Sequence, residues 1–374
     1  MASATSRTRR GVGARPVRAA PRNARANPAR EKATRAKSVH AQLRSVVTSR
    51  EVALMAGVSR SAVSRTFTPD ASVSEAMRRK VMAAATTLGY EPNVLARSLI
   101  TDRSRLIGLV MAEWENPFYT TMLSKLSEKL QRRDYQLMLL TAAPDGNVDG
   151  AVRRLLQYRA EGILLVSCTP DPALARSCVR DGTRMVIVNR ESSSIPAVNV
   201  STDNVQIGRD VARLLIDRGY RRLGVVRGNP AVSISIVRTE AFKATVAASG
   251  KARIVLDETG VVGYDAGRRL ASAALQRKPR PDAIFCYSDL TALGVLDGAR
   301  LDLNIAVPDE LAVVGNGDVP AASWAPYDLT TVRLPIDALI DASIEALLAE
   351  KSPDPRQPII VEAGIVERST VRRR

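Results

Sequence analysis

The sequence predicts a small all-α helix-turn-helix domain followed by a larger α/β core of two doubly wound parallel-sheet subdomains. Two observations predict this fold class: capped short helices fill residues 48–99, and short apolar runs alternate with helical segments after about residue 105. A third observation sets the first residues apart, because they are basic and poor in large apolar side chains. We therefore expect a disordered basic arm at 1–45, a helix-turn-helix domain at 46–91, a short connecting helix at 92–101 and the core at 102–374.

The first helix of the small domain is predicted to begin after Thr48 and to end at Gly57. Thr48 and Glu51 have the spacing of a capping box, in which the two residues satisfy each other's free backbone N–H groups. Gly57 tolerates the left-handed conformation that commonly ends a helix. The tight turn that follows is typical of a helix-turn-helix.

A second helix, at about 60–67, follows the cap residue Ser59. It turns Val63 and Phe67 inward and leaves a polar face outward. The outward residues are Arg60, Ser61, Ser64 and Arg65. A helix of this kind fits the DNA major groove, where the arginine fork can bond guanine O6 and N7 together.

A third helix is predicted to begin after the cap Ser74 and to stop at Gly89. Its apolar residues recur at helical spacing, and they are Met77, Val81, Ala84 and Leu88. Three such helices can share one small core. The pattern alone also fits an ordinary three-helix bundle whose basic face is merely solvated.

The segment PNVLARSL at 92–99 has the pattern of a short helix begun by proline. Pro92 suits the first helical position, where its missing N–H costs nothing. About eight residues are too few for a helix that is stable by itself. The segment therefore needs a partner in order to fold.

These segments together resemble the headpiece of the lactose-repressor/galactose-repressor (LacI/GalR) family of bacterial transcription regulators. The resemblance rests on VTSREVALMAGVSRSAVSRTF from Val47, on AMRRKVMAAATTLGYE, and on PNVLARSL, which a generic helix-turn-helix lacks. In this family the second helix lies in the major groove. Two hinge helices, one from each subunit, form together on the DNA, so the resemblance implies a homodimer on a nearly palindromic double-stranded operator.

The resemblance also implies particular DNA contacts. The residues that match base contacts are Arg60, Ser61 and Arg65. Those that match contacts to phosphates or the DNA backbone are Thr48, Ser59, Ser64, Ser74, Tyr90 and Asn93. In the predicted hinge helix, Leu99 matches a leucine that wedges into the minor groove, and Ala96 matches the small residue where two hinge helices cross. Leu99 has an alternative role as a linker residue packed on the core. Thr68 stands where the family often has asparagine, so we leave it out of the contacts.

The first 45 residues contain twelve basic side chains and one acidic one, and so carry +11 of the net charge of +17. A segment so poor in apolar residues cannot bury a core. One interpretation is a basic arm that raises sequence-independent DNA affinity by releasing counterions. An upstream translation start or a targeting peptide would have a similar composition, although no apolar stretch follows Arg9-Arg10.

The apolar runs of the core indicate parallel sheets covered on both faces, in two doubly wound subdomains. The runs lie at 105–112, 135–142, 162–168, 184–189, 222–228, 253–258, 282–288 and 311–316. With NPFY at 116–119, STDNVQIG at 201–208 and LTTVRLP at 329–335, the core resembles the effector domain of the same family. That domain is similar in fold to periplasmic sugar-binding proteins. Its chain crosses between the subdomains three times, and a ligand lies in the cleft.

Ligands of such sheets bind beyond the carboxyl ends of the strands. The resemblance implies that Arg238 and Asp289 hold polar groups of a small effector, namely a sugar, a sugar derivative or a nucleoside-like molecule. Phe118 can stack on its ring, and Asn189 and Arg190 follow a strand at the same edge. Each has a structural alternative: Asp289 could cap a helix, Arg238 could pair with a surface acid, and Phe118 could belong to a helix core.

Two further polar or aromatic residues are weaker candidates. Trp324, in a loop after a strand, could offer a second stacking surface or lie at the junction of the subdomains. Asp203 is expected to cap a helix rather than to contact a ligand.

The sequence argues against an enzyme. The only histidine, His40, lies in the basic arm, which removes histidine-based triads and metal sites. No phosphate-binding glycine loop appears, so we predict no cofactor and no metal. Cys168, Cys178 and Cys286 lack C-x-x-C spacing and suit buried thiols in a reducing cytosol. No stretch of 18 apolar residues occurs, so we predict no membrane span.

These observations favour a cytoplasmic, nucleoid-associated transcription regulator, and a repressor in particular, which binds DNA as a dimer under the control of an effector. The alternative is a cytoplasmic small-molecule-binding protein whose headpiece has lost sequence specificity. An imperfect palindrome near the gene would favour the first hypothesis, whereas only nonspecific DNA binding would favour the second.

Overall fold

The computed structural model describes residues 47–68, 71–92, 103–111, 116–143, 146–190, 194–229, 233–351 and 353–373. The predicted basic arm lies outside these residues. So does the predicted hinge helix apart from Pro92, with its candidate contacts Asn93, Ala96 and Leu99. The chain divides into two compact units, Met1–Asn93 and Val94–Arg374, which are described separately.

The small unit contains the three predicted helices, with ends close to those predicted. They are α1 (Ser49–Ala56), α2 (Arg60–Thr66) and α3 (Glu75–Leu88). Gly57 and Gly89 end α1 and α3 in the left-handed conformation, with φ of 66° and 65°. The fully buried side chains of Val52, Val63 and Val81 bring the three helices onto one core.

The core unit contains twelve strands within the described residues. The strands are β1 (Leu106–Met111), β2 (Gln136–Thr141), β3 (Gly162–Val166), β4 (Arg184–Val188), β5 (Val198–Thr202), β6 (Arg222–Val226), β7 (Arg253–Glu258), β8 (Ala283–Cys286), β9 (Ala312–Gly317), β10 (Thr330–Arg333), β11 (Ile359–Val361) and β12 (Gly364–Val366). They form two six-stranded sheets, in the orders β11-β5-β4-β3-β1-β2 and β12-β10-β9-β8-β6-β7.

Helices cover the sheets, as the alternating pattern predicts. They are α4 (Pro117–Gln131), α5 (Asp149–Gln157), α6 (Pro172–Arg180), α7 (Asn204–Asp217), α8 (Ser233–Ser249), α9 (Gly263–Ala274), α10 (Asp289–Asp297) and α11 (Ile336–Leu348). A π-helical turn at Gly298–Asp302 and a 3-10 turn at Pro320–Ser323 complete the set. The central strands β3 and β9 are buried along their whole length, which explains why they read as continuous apolar runs.

The predicted two-sheet architecture is confirmed, with two differences in detail. All pairs in the first sheet are parallel, but β12 runs antiparallel to β10 at the edge of the second. The sequence also did not identify β5, β10, β11 and β12 as strands. Apart from β5 these have only three or four residues, too few to establish a period-two pattern.

The chain passes between the sheets three times, as the resemblance implies. It does so after β5, after β10 and between β11 and β12. The final residues are part of the second sheet's packing. Thr370 is fully buried, and its hydroxyl donates to the carbonyl of Val313 at 2.7 Å and accepts from the N–H of Thr330 at 2.9 Å.

A glycine allows two helices beside the cleft to lie against each other. At Gly208 of α7, an added Cβ would overlap the carbonyl oxygen of Arg238 in α8 and lie 2.9 Å from the backbone nitrogen of Phe242. The absence of a side chain at Gly208 therefore sets the position of α8.

Candidate functional site

The outward face of α2 is exposed, as its periodicity predicts. The exposed residues are Arg60, Ser61, Ser64 and Arg65. The opposite face is buried, with Ala62 and Thr66 each 3% exposed and Val63 fully enclosed. Two arginines and two hydroxyls are thus displayed on one rigid element, which is the chemistry that reads base edges and phosphates.

The residues predicted to contact the DNA backbone lie mainly at helix starts. The hydroxyls of Ser59 and Ser74 cap α2 and α3, accepting from backbone N–H groups at 3.2 and 3.4 Å. Thr48 donates its backbone N–H and its hydroxyl to Glu51, at 2.7 and 2.9 Å, which confirms the predicted capping box. These capping bonds fix the helix starts while the side chains remain exposed.

Tyr90 has a structural role in the small unit. Its ring packs edge-on against Phe67, with 5.6 Å between centroids. Both rings are partly buried against the three-helix core. This packing orients Tyr90 at the end of the small unit, which is the position where the resemblance implies a DNA contact.

A cleft in the core unit encloses about 530 Å³ of empty space, part of it open to solvent. Its lining comes from residues that follow the carboxyl ends of strands in both sheets, where ligands of such folds bind. The lining residues are Asn116, Phe118, Tyr119, Asn189, Asn229, Ile234, Ser235, Arg238, Tyr287, Ser288, Asn316, Gly317 and Leu334.

Arg238 is the one positively charged side chain of this lining. It is 3% exposed, and its Nε and Nη2 donate to the Asn204 side-chain oxygen at 3.1 and 2.8 Å. Its Nη1 donates to the carbonyl of Tyr287 at 3.4 Å. Burial lowers the pKa of Arg238 to about 10, partly opposed by the nearby Tyr119 hydroxyl. The group stays protonated at neutral pH and is held rigidly at the cleft.

Asp289 lies behind the lining rather than on it. It is 1% exposed, accepts from the Val319 N–H at 2.8 Å and accepts from the hydroxyl of Thr331. Burial raises its pKa to about 6, and these two hydrogen bonds oppose that rise only in part. In this conformation Asp289 joins α10 to the loop after β9 and to β10.

The other three predicted effector contacts occupy different positions. Phe118 lines the cleft, is 3% exposed and packs edge-on against Tyr119 at 5.2 Å. Asn189 lines it in a left-handed conformation with φ of 55°. Arg190 is half-buried outside the lining, and its Nη1 donates to the carbonyl of Ser167 at 3.2 Å.

The two weaker candidates do not line the cleft. Asp203 caps α7 by accepting from the N–H of Gln206 at 2.8 Å, which confirms the expected role. Trp324 is 58% exposed at the end of the 3-10 turn.

Sequence reasoning missed several polar groups of the cleft. Ser235 lies one helical turn before Arg238, a spacing that places both on one face of α8. Asn316 lies at the end of the predicted strand 311–316, where Asn189 had been chosen by the same argument. The Ser235 hydroxyl and the Asn316 side-chain oxygen are buried without a hydrogen-bond partner among the described residues. Such groups are stabilised by a polar ligand.

No helix among the described residues is both long and apolar enough to cross a membrane.

Comparison with known proteins identifies both units. Residues 48–93 match the model of "Bacterial regulatory proteins, lacI family". Residues 104–312 match "Periplasmic binding proteins and sugar binding domain of LacI family".

Curated relatives extend along most of the chain. The ribose operon repressor of Escherichia coli strain K12 is 30% identical over 334 residues, covering 85% of this chain and 99% of the relative. The transcriptional regulator CelR of Thermobifida fusca is 31% identical over 312 residues, covering 80% and 90%.

Solved structures share the fold. A lac repressor dimer bound to operator and an anti-inducer superposes with a TM-score of 0.77 at 21% identity, covering 87% of this chain and 98% of that one. A CelR–cellobiose complex has a TM-score of 0.63 at 27% identity, covering 87% and 99%. With the exposed α2 face and the polar cleft, these matches show that the chain belongs to the LacI family of bacterial regulatory proteins, which are DNA-binding transcription regulators rather than enzymes.

Proposed function

We propose that this protein represses transcription from a nearly palindromic operator, which it binds as a homodimer in the bacterial cytoplasm, in association with the nucleoid. A small polyhydroxylated effector in the cleft controls the affinity for DNA. The observation that carries this proposal is the presence, in one chain of this family, of a displayed Arg/Ser face on α2 and a cleft with unpaired buried polar groups.

For the DNA, we assign base reading to Arg60, Ser61 and Arg65. Both arginines are exposed, and no ion pair holds either of them among the described residues, so their forks are available to guanine. Thr48, Ser59, Ser64, Ser74 and Tyr90 would set the orientation on the DNA backbone. Asn93, Ala96 and Leu99 are assigned to the hinge from the sequence alone.

For the effector, the lining is suited to a molecule with several hydroxyl groups. Amides and hydroxyls supply both donors and acceptors, and Phe118 offers a ring face. Arg238 and Asn189 contact the effector directly in this proposal. Asp289 and Arg190 do so only if their side chains turn from the carbonyls, hydroxyl and N–H that they bond now.

The test begins with selection of binding sites from random DNA by the full-length protein. We expect a palindromic motif, protected from nuclease as one discrete site. Arg60→Ala should weaken binding to that site by about 1–3 kcal/mol and relax the preference at one position in each half-site. Arg79→Ala, at an exposed position of α3, is the matched control and should keep the motif. Failure of the wild-type protein to enrich any motif would refute sequence-specific recognition.

The effector is tested on the same complex. Addition of monosaccharides and their derivatives should shift the operator affinity for at least one compound, and DNA should shift the affinity for that compound by the same factor. Compounds that stabilise the protein yet never change DNA binding would separate the cleft from regulation.

A further inference from the structure

Arg238 places an uncompensated positive charge at the cleft. Within the described residues no carboxylate lies within 4 Å of its guanidinium, and the lining contains no aspartate or glutamate. Asn204, which bonds it twice, is neutral. A buried charge without a counter-charge is costly, and a ligand of opposite charge removes that cost.

The nearest buried acid does not supply the counter-charge. Both oxygens of Asp289 are occupied by Thr331 and the Val319 N–H, and the side chain faces the backbone of Gly315 and Gly317. Its raised pKa, about 6, follows from burial and reflects no stabilisation by Arg238. Glu113, Glu115 and Glu191 lie outside the described residues.

The guanidinium also has donors left. Arginine carries five N–H groups, and three serve Asn204 and the Tyr287 carbonyl. One N–H on Nη1 and one on Nη2 remain, which is the pair that a carboxylate accepts in a fork. Beside it, the Ser235 hydroxyl and the Asn316 oxygen are 5% and 6% exposed and have no partner among the described residues.

We propose that the effector is an anionic polyol with one carboxylate, a sugar acid, whose carboxylate binds Arg238 and whose hydroxyls bind Ser235 and Asn316. This inference rests on the proposed function and narrows it, because a neutral sugar would satisfy the two polar groups but leave the charge unpaired. One fork matches one carboxylate, and the single cation of the lining favours a monoanion over a phosphate dianion.

The experiment compares ligands that differ in charge but hardly in shape. The full-length protein is titrated calorimetrically with D-gluconate, D-glucuronate and D-galacturonate, and with D-glucose, D-galactose and D-glucuronamide. We expect at least one acid to bind ten or more times tighter than its neutral counterpart. The preference should persist in 0.5 M NaCl, because a buried pair is screened far less than attraction to the basic surface.

Variants then locate the preference. Arg238→Met should abolish the difference between acid and neutral counterpart, while Arg238→Lys, which keeps the charge, should retain part of it. Ser235→Ala and Asn316→Ala should weaken both ligands of a pair alike and leave their ratio unchanged. If Arg238→Met does not fold, the wild-type pairs and the two alanine variants still decide the question.

The outcomes distinguish this inference from the proposed function. Equal binding of acids and neutral counterparts, or tighter binding of a phosphosugar, would overturn the sugar-acid inference and leave a regulatory cleft intact. A preference that vanishes in 0.5 M NaCl would overturn it as well. If no compound of any charge bound, both the inference and the effector part of the proposed function would fail.

Discussion

Arg103 and Glu161 form a two-pronged ion pair at the start of the core unit, with Nε and Nη2 of the arginine 3.1 and 2.9 Å from the two carboxylate oxygens. Glu161 also accepts from the backbone N–H of Arg105 at 2.8 Å, and the Ser104 hydroxyl donates to the carbonyl of Arg159 at 2.6 Å. The residues that immediately follow the predicted hinge are therefore fastened to the turn that leads into β3.

Loss of the Glu161 charge should loosen this attachment. Burial alone would raise the pKa of Glu161, but the bonds from Arg103 and Arg105 and the arginine charge outweigh it and hold the pKa below its usual value. Glu161→Gln should lower the free energy of unfolding by about 1 kcal/mol at pH 7. Because the pKa is depressed in the folded state, the loss should shrink as the pH falls below about 4. Guanidinium titration measures both effects.

The same variant also tests coupling to DNA. We expect operator affinity to fall several-fold while ligand affinity in the cleft changes less than twofold. Asp134→Asn, which breaks an exposed pair with Arg105 at 3.4 Å, is the control and should change neither by more than a small factor. Equal behaviour of the two variants would show that the Arg103–Glu161 pair is only local.

Gly208 should be indispensable to the cleft. Alanine there would press on the backbone of α8 and displace Arg238 and Ser235, because no flexible side chain can yield. Gly208→Ala should destabilise the protein by about 1–3 kcal/mol and weaken ligand binding. Gly150→Ala, at a position in α5 with no atom within 4 Å of the added Cβ, should be neutral or stabilising by up to about 1 kcal/mol. Thermal and calorimetric titrations would reject the packing argument if the two variants matched.

Asp289 should make stability fall as the pH rises. Its pKa is about 6 in the folded chain and near 4 when unfolded, so between these values the folded state binds more protons and loses stability with increasing pH. Asp289→Asn should remove this contribution, which amounts to about 1 kcal/mol between pH 5 and pH 7.5. Thr331→Val, which deletes a hydrogen bond that lowers the pKa, should move the transition to higher pH. Parallel curves for wild type and Asp289→Asn would contradict the assignment.

Leu99, which lies outside the described residues, is tested through the DNA. If it wedges into the minor groove, Leu99→Ala should weaken operator binding and reduce the bend of the duplex. Circular-permutation gel shifts report the bend, and a titration with the same fragment reports the affinity. Leu54→Ala, at an exposed position of α1, provides a comparison in the small unit. An unchanged bend in the Leu99 variant would dismiss the wedge.

The sequence was most informative where local chemistry fixes the backbone. Thr48, Ser59 and Ser74 mark helix starts because their hydroxyls or partners satisfy free N–H groups, and the structure has each helix starting there. The long buried strands were equally visible, because strands covered on both faces need continuous apolar side chains.

The cleft was harder to predict because its members come together only through the fold. Arg238 and Phe118 could be chosen as residues beyond strand ends, but whether Asp289 faces the ligand or the backbone depends on the loop after β9. The short edge strands escaped for a related reason: β11 and β12 are stabilised by long-range pairing with β5 and β10 rather than by a local pattern.

Those two edge strands have a consequence for how the protein matures on the ribosome. Each sheet of the core begins with segments made early and is closed by three residues translated near the end, at 359–361 and 364–366. Neither subdomain can complete its hydrogen-bonding ladder until both segments have left the exit tunnel. A frameshift near residue 350 would therefore damage both halves at once, and regulation could not survive in a product that keeps only one.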